Sequence, residues 1–207
     1  MAILLELQAK EMSTMKASEM PSRGFRTIYL ANALLSSADG LYYPFLIAFL
    51  YQMDGIVAAG VGLGVITAMD SVGSYFVGRL VDRYGRKPFL VVSAGLSAGV
   101  YLAYPLLQGL SGTWVYGLLL VVLMLDGLSD GLWDTIEAVY LGDVTRRAFR
   151  GRSMGSYWGV GGVIFGVAMI AAGLAGTQLS FWAVAVVVVA VYLLGILVLL
   201  KLEESLK

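Results

Sequence analysis

The chain has no histidine, no cysteine and only 4 prolines in 207 residues, and charged side chains make up just 14% of it. Without imidazole or thiolate, the usual ligand sets of zinc, haem iron and iron–sulfur clusters cannot be assembled, and disulfides and thiol nucleophiles are excluded. Any metal site would have to be built from oxygen, and neither a metal nor an organic cofactor is expected. The 14 basic and 14 acidic residues cancel, so no basic surplus points to nucleic acid. What the chain has is apolar mass. It is 59% hydrophobic with 26 glycines and a mean hydropathy of +0.82, whereas a soluble domain is about half apolar and about a quarter charged. These numbers describe an all-α membrane protein.

Six runs are long enough to cross a bilayer at about 20 residues each: about 27–51, 56–78, 88–108, 114–141, 153–175 and 180–200. The breaks between them alternate in charge. Those at 52–55, 109–113 and 176–178 contain no Lys or Arg. The other breaks and both chain ends hold all 14 basic residues: Lys10, Lys16, Arg23 and Arg26; Arg79, Arg83, Arg86 and Lys87; Arg146, Arg147, Arg150 and Arg152; Lys201 and Lys207. By the positive-inside rule that side is cytoplasmic, so both termini lie inside a cell (inner or plasma) membrane. Residues 1–26 read as a cytoplasmic tail, an amphipathic helix on the membrane surface, and 27–207 as one six-helix transmembrane domain.

The first and fourth spans share a short motif, Asp39-Gly40-Leu41-Tyr42 against Asp130-Gly131-Leu132-Trp133. The first span runs outward and the fourth inward, which makes the two helix trios a 3+3 inverted repeat of the kind found in secondary transporters. The spans also carry Asp39, Asp70, Asp126, Asp130, Asp134 and Glu137, with no Lys, Arg or His among them. Spacings of four, four and three place the last four on one face of the fourth span. Such a stripe cannot face lipid, because an unpaired carboxylate in the bilayer costs several kcal/mol. Asp39, Asp126, Asp130 and Asp134 are therefore expected to line a central cavity that binds protons or a cationic substrate, with Tyr42, Tyr43 and Trp133 offering aromatic faces to an ammonium. Asp70 and Glu137 lie closer to the cytoplasmic edge. Gly60, Gly62, Gly64, Gly155, Gly159, Gly162 and Gly166 are spaced for close helix contact, and Pro44 and Pro105 for kinks.

Residues 78–88, GRLVDRYGRKP, set Gly78, Asp82, Arg83, Gly85, Arg86 and Lys87 between the second and third spans. This spacing resembles the loop between helices two and three of the major facilitator superfamily. Asp143, Arg150-Gly151-Arg152 and Gly155 resemble that family's loop between helices four and five. The resemblance covers about residues 27–200 and implies the N-terminal six-helix half of a major-facilitator fold. It implies a conformational latch for Asp82 and the loop bases, formed when the cytoplasmic side is closed, with Asp143 and Arg150 in the adjoining loop. It further implies a secondary transporter of a small solute, working by alternating access, and the intramembrane carboxylates suit it to proton coupling.

The departures matter equally. Family members have twelve spans, so a second six-helix half is expected, supplied by a homodimer or a separate chain. Leu123 stands where some drug and antiporter branches carry an arginine, and no proline lies between Gly155 and Gly173. The alternative reading is a truncated or scaffolding six-helix protein without transport. Catalysis has weaker support. Gly127-Leu128-Ser129-Asp130 fails the Gly-x-Gly-Asp pattern of intramembrane aspartyl proteases. DGLSDGLWD, residues 126–134, only superficially resembles the metal signature of Mg-dependent phosphatidyltransferases and lacks its basic residue.

Overall fold

The computed structural model describes residues 22–176 and 178–205. Most of the expected tail, residues 1–21, lies outside the described residues. Its last part is already helical, since Ser22 caps the first helix by accepting a hydrogen bond from the Phe25 N–H at 3.1 Å. The described residues form five helices and one short 3-10 turn, with no strand: α1 (Arg23–Tyr84), α2 (Lys87–Leu107), α3 (Trp114–Val144), the 3-10 turn (Arg147–Phe149), α4 (Arg150–Ala175) and α5 (Phe181–Leu199). All five helices are long and apolar enough to cross a membrane.

At about 1.5 Å per residue, the 62 residues of α1 would reach roughly 93 Å if straight, about twice a bilayer. The helix is instead broken at Asp54 (φ −158°, ψ 44°) and Gly55 (φ 63°, ψ −150°), where the sequence predicts a break at 52–55. Gly55 takes the left-handed conformation that glycine adopts without steric penalty. The chain doubles back there, so that a Cβ on Gly62 would lie 2.8 Å from the Leu50 side chain. We call 23–53 the first arm of α1 and 56–84 the second. Pro44 causes no break, because the only non-helical residues inside α1 are Asp54 and Gly55.

The arms pack by backbone approach at a few glycines. A Cβ on Gly40 would collide with the Phe165 carbonyl of α4, and one on Gly131 would collide with the Asp70 carbonyl of the second arm. The glycines of the two Asp-Gly pairs thus occupy matching places, each against a backbone carbonyl of a neighbouring helix. Gly127 meets the Ile66 carbonyl in the same way, one turn before Gly131. The glycines expected from spacing behave differently. Gly60, Gly64, Gly155, Gly159, Gly162 and Gly166 have open space where a Cβ would sit; only Gly62 of that set is at a close contact. Their spacing therefore does not bring them to a helix crossing, and Gly162 instead borders a cavity.

One end of the bundle is tied together by the segment after α5. Gly85 (φ 94°) ends α1, and a Cβ there would meet the Glu204 carboxylate at 2.6 Å. That carboxylate accepts from the backbone N–H groups of Arg86 (2.9 Å) and Lys87 (3.1 Å), satisfying free donors at the start of α2 and complementing its dipole. Lys87 in turn donates from Nζ to the Leu200 carbonyl at 2.8 Å, near the end of α5. Tyr140 donates to the Glu203 carbonyl at 3.1 Å, and Ser22 to the Val144 carbonyl at 3.3 Å. The basic residues of this end therefore sit beside the starts of α1, α2 and α4 and the ends of α3 and α5.

Replacing Gly131 by Val is expected to lower stability by about 2 kcal/mol or more, because the colliding partner is backbone and cannot rotate away. Gly99→Ala, where nothing lies within 4 Å of the added methyl, is expected to be neutral or to stabilise by about 0.5 kcal/mol. Thermal unfolding in detergent separates the two; equal melting temperatures would refute the close-packing assignment.

Candidate functional site

Every helix contributes to a cavity of about 270 Å³ inside the bundle. Asp39 and Tyr43 reach it from the first arm, Asp70 from the second, Ser97 and Tyr101 from α2, Asp130, Trp133 and Asp134 from α3, Phe165 from α4 and Tyr192 from α5. A second cavity of about 310 Å³ adjoins it, sharing Leu35, Asp39, Trp133, Asp134 and Phe165 and adding Asn32, Ser36, Glu137 and Trp158. Four carboxylates and five aromatic side chains thus line the first cavity, and among the described residues no basic side chain does.

The acids are held in three different ways. Asp39 accepts hydrogen bonds from the hydroxyls of Tyr101 (2.9 Å) and Tyr192. Asp126, only 3% exposed, accepts from the Tyr104 hydroxyl at 2.7 Å and lines neither cavity. Glu137, 4% exposed, accepts from the Tyr157 hydroxyl (2.7 Å) and the Trp158 indole N–H (3.0 Å) and borders the second cavity. Asp130 and Asp134 line the first cavity, and Ser74 donates to Asp70 at 3.4 Å. A hydrogen bond to a charged group contributes about 1.5–3 kcal/mol. Tyrosine and tryptophan therefore do here what a salt bridge would do in a chain with basic residues in its spans.

The sequence expectations sort accordingly. Asp39, Asp130, Asp134 and Trp133 meet at the cavity. Asp126 is drawn into the packing by Tyr104, which sits one turn after Tyr101 on α2. Tyr42 is structural: it is 1% exposed, stacks on Tyr101 with centroids 4.3 Å apart and donates to the Tyr101 carbonyl at 2.9 Å. Tyr43, its neighbour, lines the cavity, with its ring 6.0 Å from that of Phe165. Sequence reasoning missed Tyr101, Tyr104, Tyr157 and Tyr192 as partners of the acids. The available signal was that the spans hold no cation, which leaves phenols as the main donors. Among the described residues, no group of three His, Cys, Asp or Glu side chains is disposed to hold a metal ion.

In the loop after α1, the buried member is Arg86, 8% exposed. Its Nε lies 3.1 Å from Asp143, and its guanidinium lies 3.8 Å from Asp82. Asp82 is a largely exposed i, i+4 partner, while Asp143 also accepts from the Ser205 hydroxyl at 2.8 Å. Arg83 is exposed and lies over the Tyr84 ring at 5.3 Å. Gly78 has open space around it. Arg150 donates to the Gly142 carbonyl at 2.6 Å, neutralising the end of α3.

Comparison with known proteins agrees with this architecture. A family model described as Major Facilitator Superfamily matches residues 28–207. The chain is 32% identical over 127 residues, 60% of its length, to the uncharacterized MFS-type transporter YqjV of Bacillus subtilis (strain 168), covering 29% of that protein. It is 31% identical over 104 residues, 49% of its length, to the alpha-ketoglutarate permease of Escherichia coli (strain K12), covering 23% of that protein. The matched part thus spans less than a third of either relative. With an all-helical membrane bundle, a polar cavity inside it and a family match over nearly the whole sequence, the chain belongs to the major facilitator superfamily.

Proposed function

We propose that the chain is the N-terminal six-helix half of a secondary transporter that exchanges a small organic cation for protons by alternating access. The observation that carries this reading is the first cavity: Asp39, Asp70, Asp130 and Asp134 beside Tyr43, Trp133 and Phe165, with no basic side chain lining it among the described residues. Carboxylates attract an ammonium, the ring faces add cation–π contact, and the same carboxylates hold protons when the cation leaves. The relative named for alpha-ketoglutarate is named for an anion, and this cavity offers an anion no positive partner.

In this reading the two arms of α1 are separate crossings, giving six spans. Both termini and the basic loops lie on the cytoplasmic side of a cell (inner or plasma) membrane. The matched placement of Gly40 and Gly131 supports a 3+3 inverted repeat, in which Asp39 and Asp130 are equivalent positions. The pairs of Arg86 with Asp82 and with Asp143 act as the cytoplasmic latch, and Arg150 braces the adjoining loop through the Gly142 carbonyl. The second half packs on the side formed by α1 and α4, where only 11% of the residues in the most apolar stretch of each are buried, against 56% in α2.

In reconstituted vesicles carrying an outward pH gradient, adding an organic ammonium should dissipate the gradient, and Asp130→Asn should abolish the effect without loss of folded protein. A gradient insensitive to a panel of ammonium ions would sink cation–proton exchange. Arg86→Gln should leave cation binding intact and slow exchange about tenfold or more, since it leaves a part-buried Asp143 without its cation; unchanged exchange would remove the latch. Native mass spectrometry in nanodiscs should give the mass of two chains if copies pair, and a monomer fully competent in exchange would refute the need for a second half.

A further inference from the structure

The two phenols that hold Asp39 fall on one atom. Tyr101, from α2, and Tyr192, from α5, both donate to Oδ1, and a carboxylate oxygen offers about two lone-pair sites. Oδ2 receives neither hydroxyl. The phenols are themselves fixed. Their rings meet edge to face with centroids 5.4 Å apart, and Tyr101 is stacked on Tyr42, which also bonds its backbone. Asp39 therefore presents itself to the cavity as a one-oxygen acceptor.

We propose that Tyr101 and Tyr192 are specificity-determining positioning residues that occupy Oδ1 of Asp39, so that the cavity recognises cations through a single N–H contact at Oδ2 and selects ammonium ions over planar guanidinium or amidinium ions. This rests on the cation reading of the cavity given above. A guanidinium binds a carboxylate best as a fork, two parallel N–H donors on two oxygens. With Oδ1 filled, the second prong meets an oxygen whose lone pairs are already taken, and a buried N–H is left unpaired. An alkylammonium needs only one oxygen and turns its remaining hydrogens elsewhere. Asp70, Asp130 and Asp134, which line the same cavity, attract both kinds of cation through their charge.

The test uses benzylammonium and benzylguanidinium, which share an aromatic body, in calorimetric titrations of the full chain in nanodiscs. The wild type should bind benzylammonium more tightly. Tyr101→Phe/Tyr192→Phe removes only two oxygens and should shift the affinity ratio toward benzylguanidinium by about tenfold, whereas a purely structural role for the phenols would weaken both ligands alike and leave the ratio unchanged. A wild type that prefers benzylguanidinium, or an unchanged ratio in the double variant, overturns the proposal.

A second measurement needs no ligand. The titratable groups around Asp39 are Tyr101, Tyr192, Asp70, Asp126, Asp130 and Asp134. In pH-difference infrared spectra, the carboxylic carbonyl band removed by Asp39→Asn should rise in frequency with each Tyr→Phe change, because the proton sits on Oδ2 and Oδ1 is the carbonyl accepting two hydroxyls. A band that does not move shows that Oδ1 is not clamped and overturns the proposal. Failure of both cations to bind, with the band still shifting, sinks the cation reading and the selectivity with it while leaving the clamp in place.

Discussion

Hydrogen bonds from phenol and indole to carboxylate are the constraint around which this bundle is organised. A span that carries an acid into a medium of low polarity must answer it with a cation, with water or with neutral donors, because an unanswered carboxylate costs several kcal/mol. No basic residue lies in the spans, so the answer comes from tyrosine and tryptophan. Tyr101 and Tyr192 serve Asp39, Tyr104 serves Asp126, and Tyr157 with Trp158 serves Glu137. Each bond also joins helices. Asp39 ties α1 to α2 and α5, Asp126 ties α3 to α2, and Glu137 ties α3 to α4. The polar groups that define the cavity are thereby also the groups that set how the helices meet.

The helices approach closely enough for such bonds because glycine sits where backbones cross. Gly40 lies against α4 one residue after Asp39, and Gly131 lies against the second arm one residue after Asp130. Coupling an acid to the adjacent glycine has a geometric consequence. The helix that delivers the carboxylate to the cavity is anchored, one residue on, against a carbonyl of its neighbour, so the acid cannot shift without moving the crossing.

The charged end of the bundle works by different physics. There the groups are near water and the bonds are numerous and individually modest, except around Arg86, which is buried with Asp143 beside it. The Glu203–Ser205 segment joins this network by capping the start of α2 through Glu204 and bonding Asp143 through Ser205. A segment that looks like a charged trailing end in one dimension thus spans the loops after α1 and α3 in three.

Much of the architecture was legible along the chain. Apolar runs of span length, breaks at 52–55, 109–113 and 176–178, and acids in those runs without cations all follow from local composition, since lipid acts on each segment separately. The break at Asp54–Gly55 and the cavity position of Asp39, Asp130, Asp134 and Trp133 were visible in this way. The partner of each acid was not. Tyr192 lies 153 residues from Asp39, and nothing in the spacing separates it from a tyrosine that merely packs. Helical periodicity put Asp126 on the same face as Asp130, yet Tyr104 draws it into the interior. It also marked Gly155, Gly159, Gly162 and Gly166 as contacts, although open space lies where a Cβ on each would sit. The one-dimensional pattern determined which residues must avoid lipid; only the tertiary structure decided which neighbour satisfies each of them, because that depends on where two distant helices cross and which hydroxyl the crossing brings within hydrogen-bond reach.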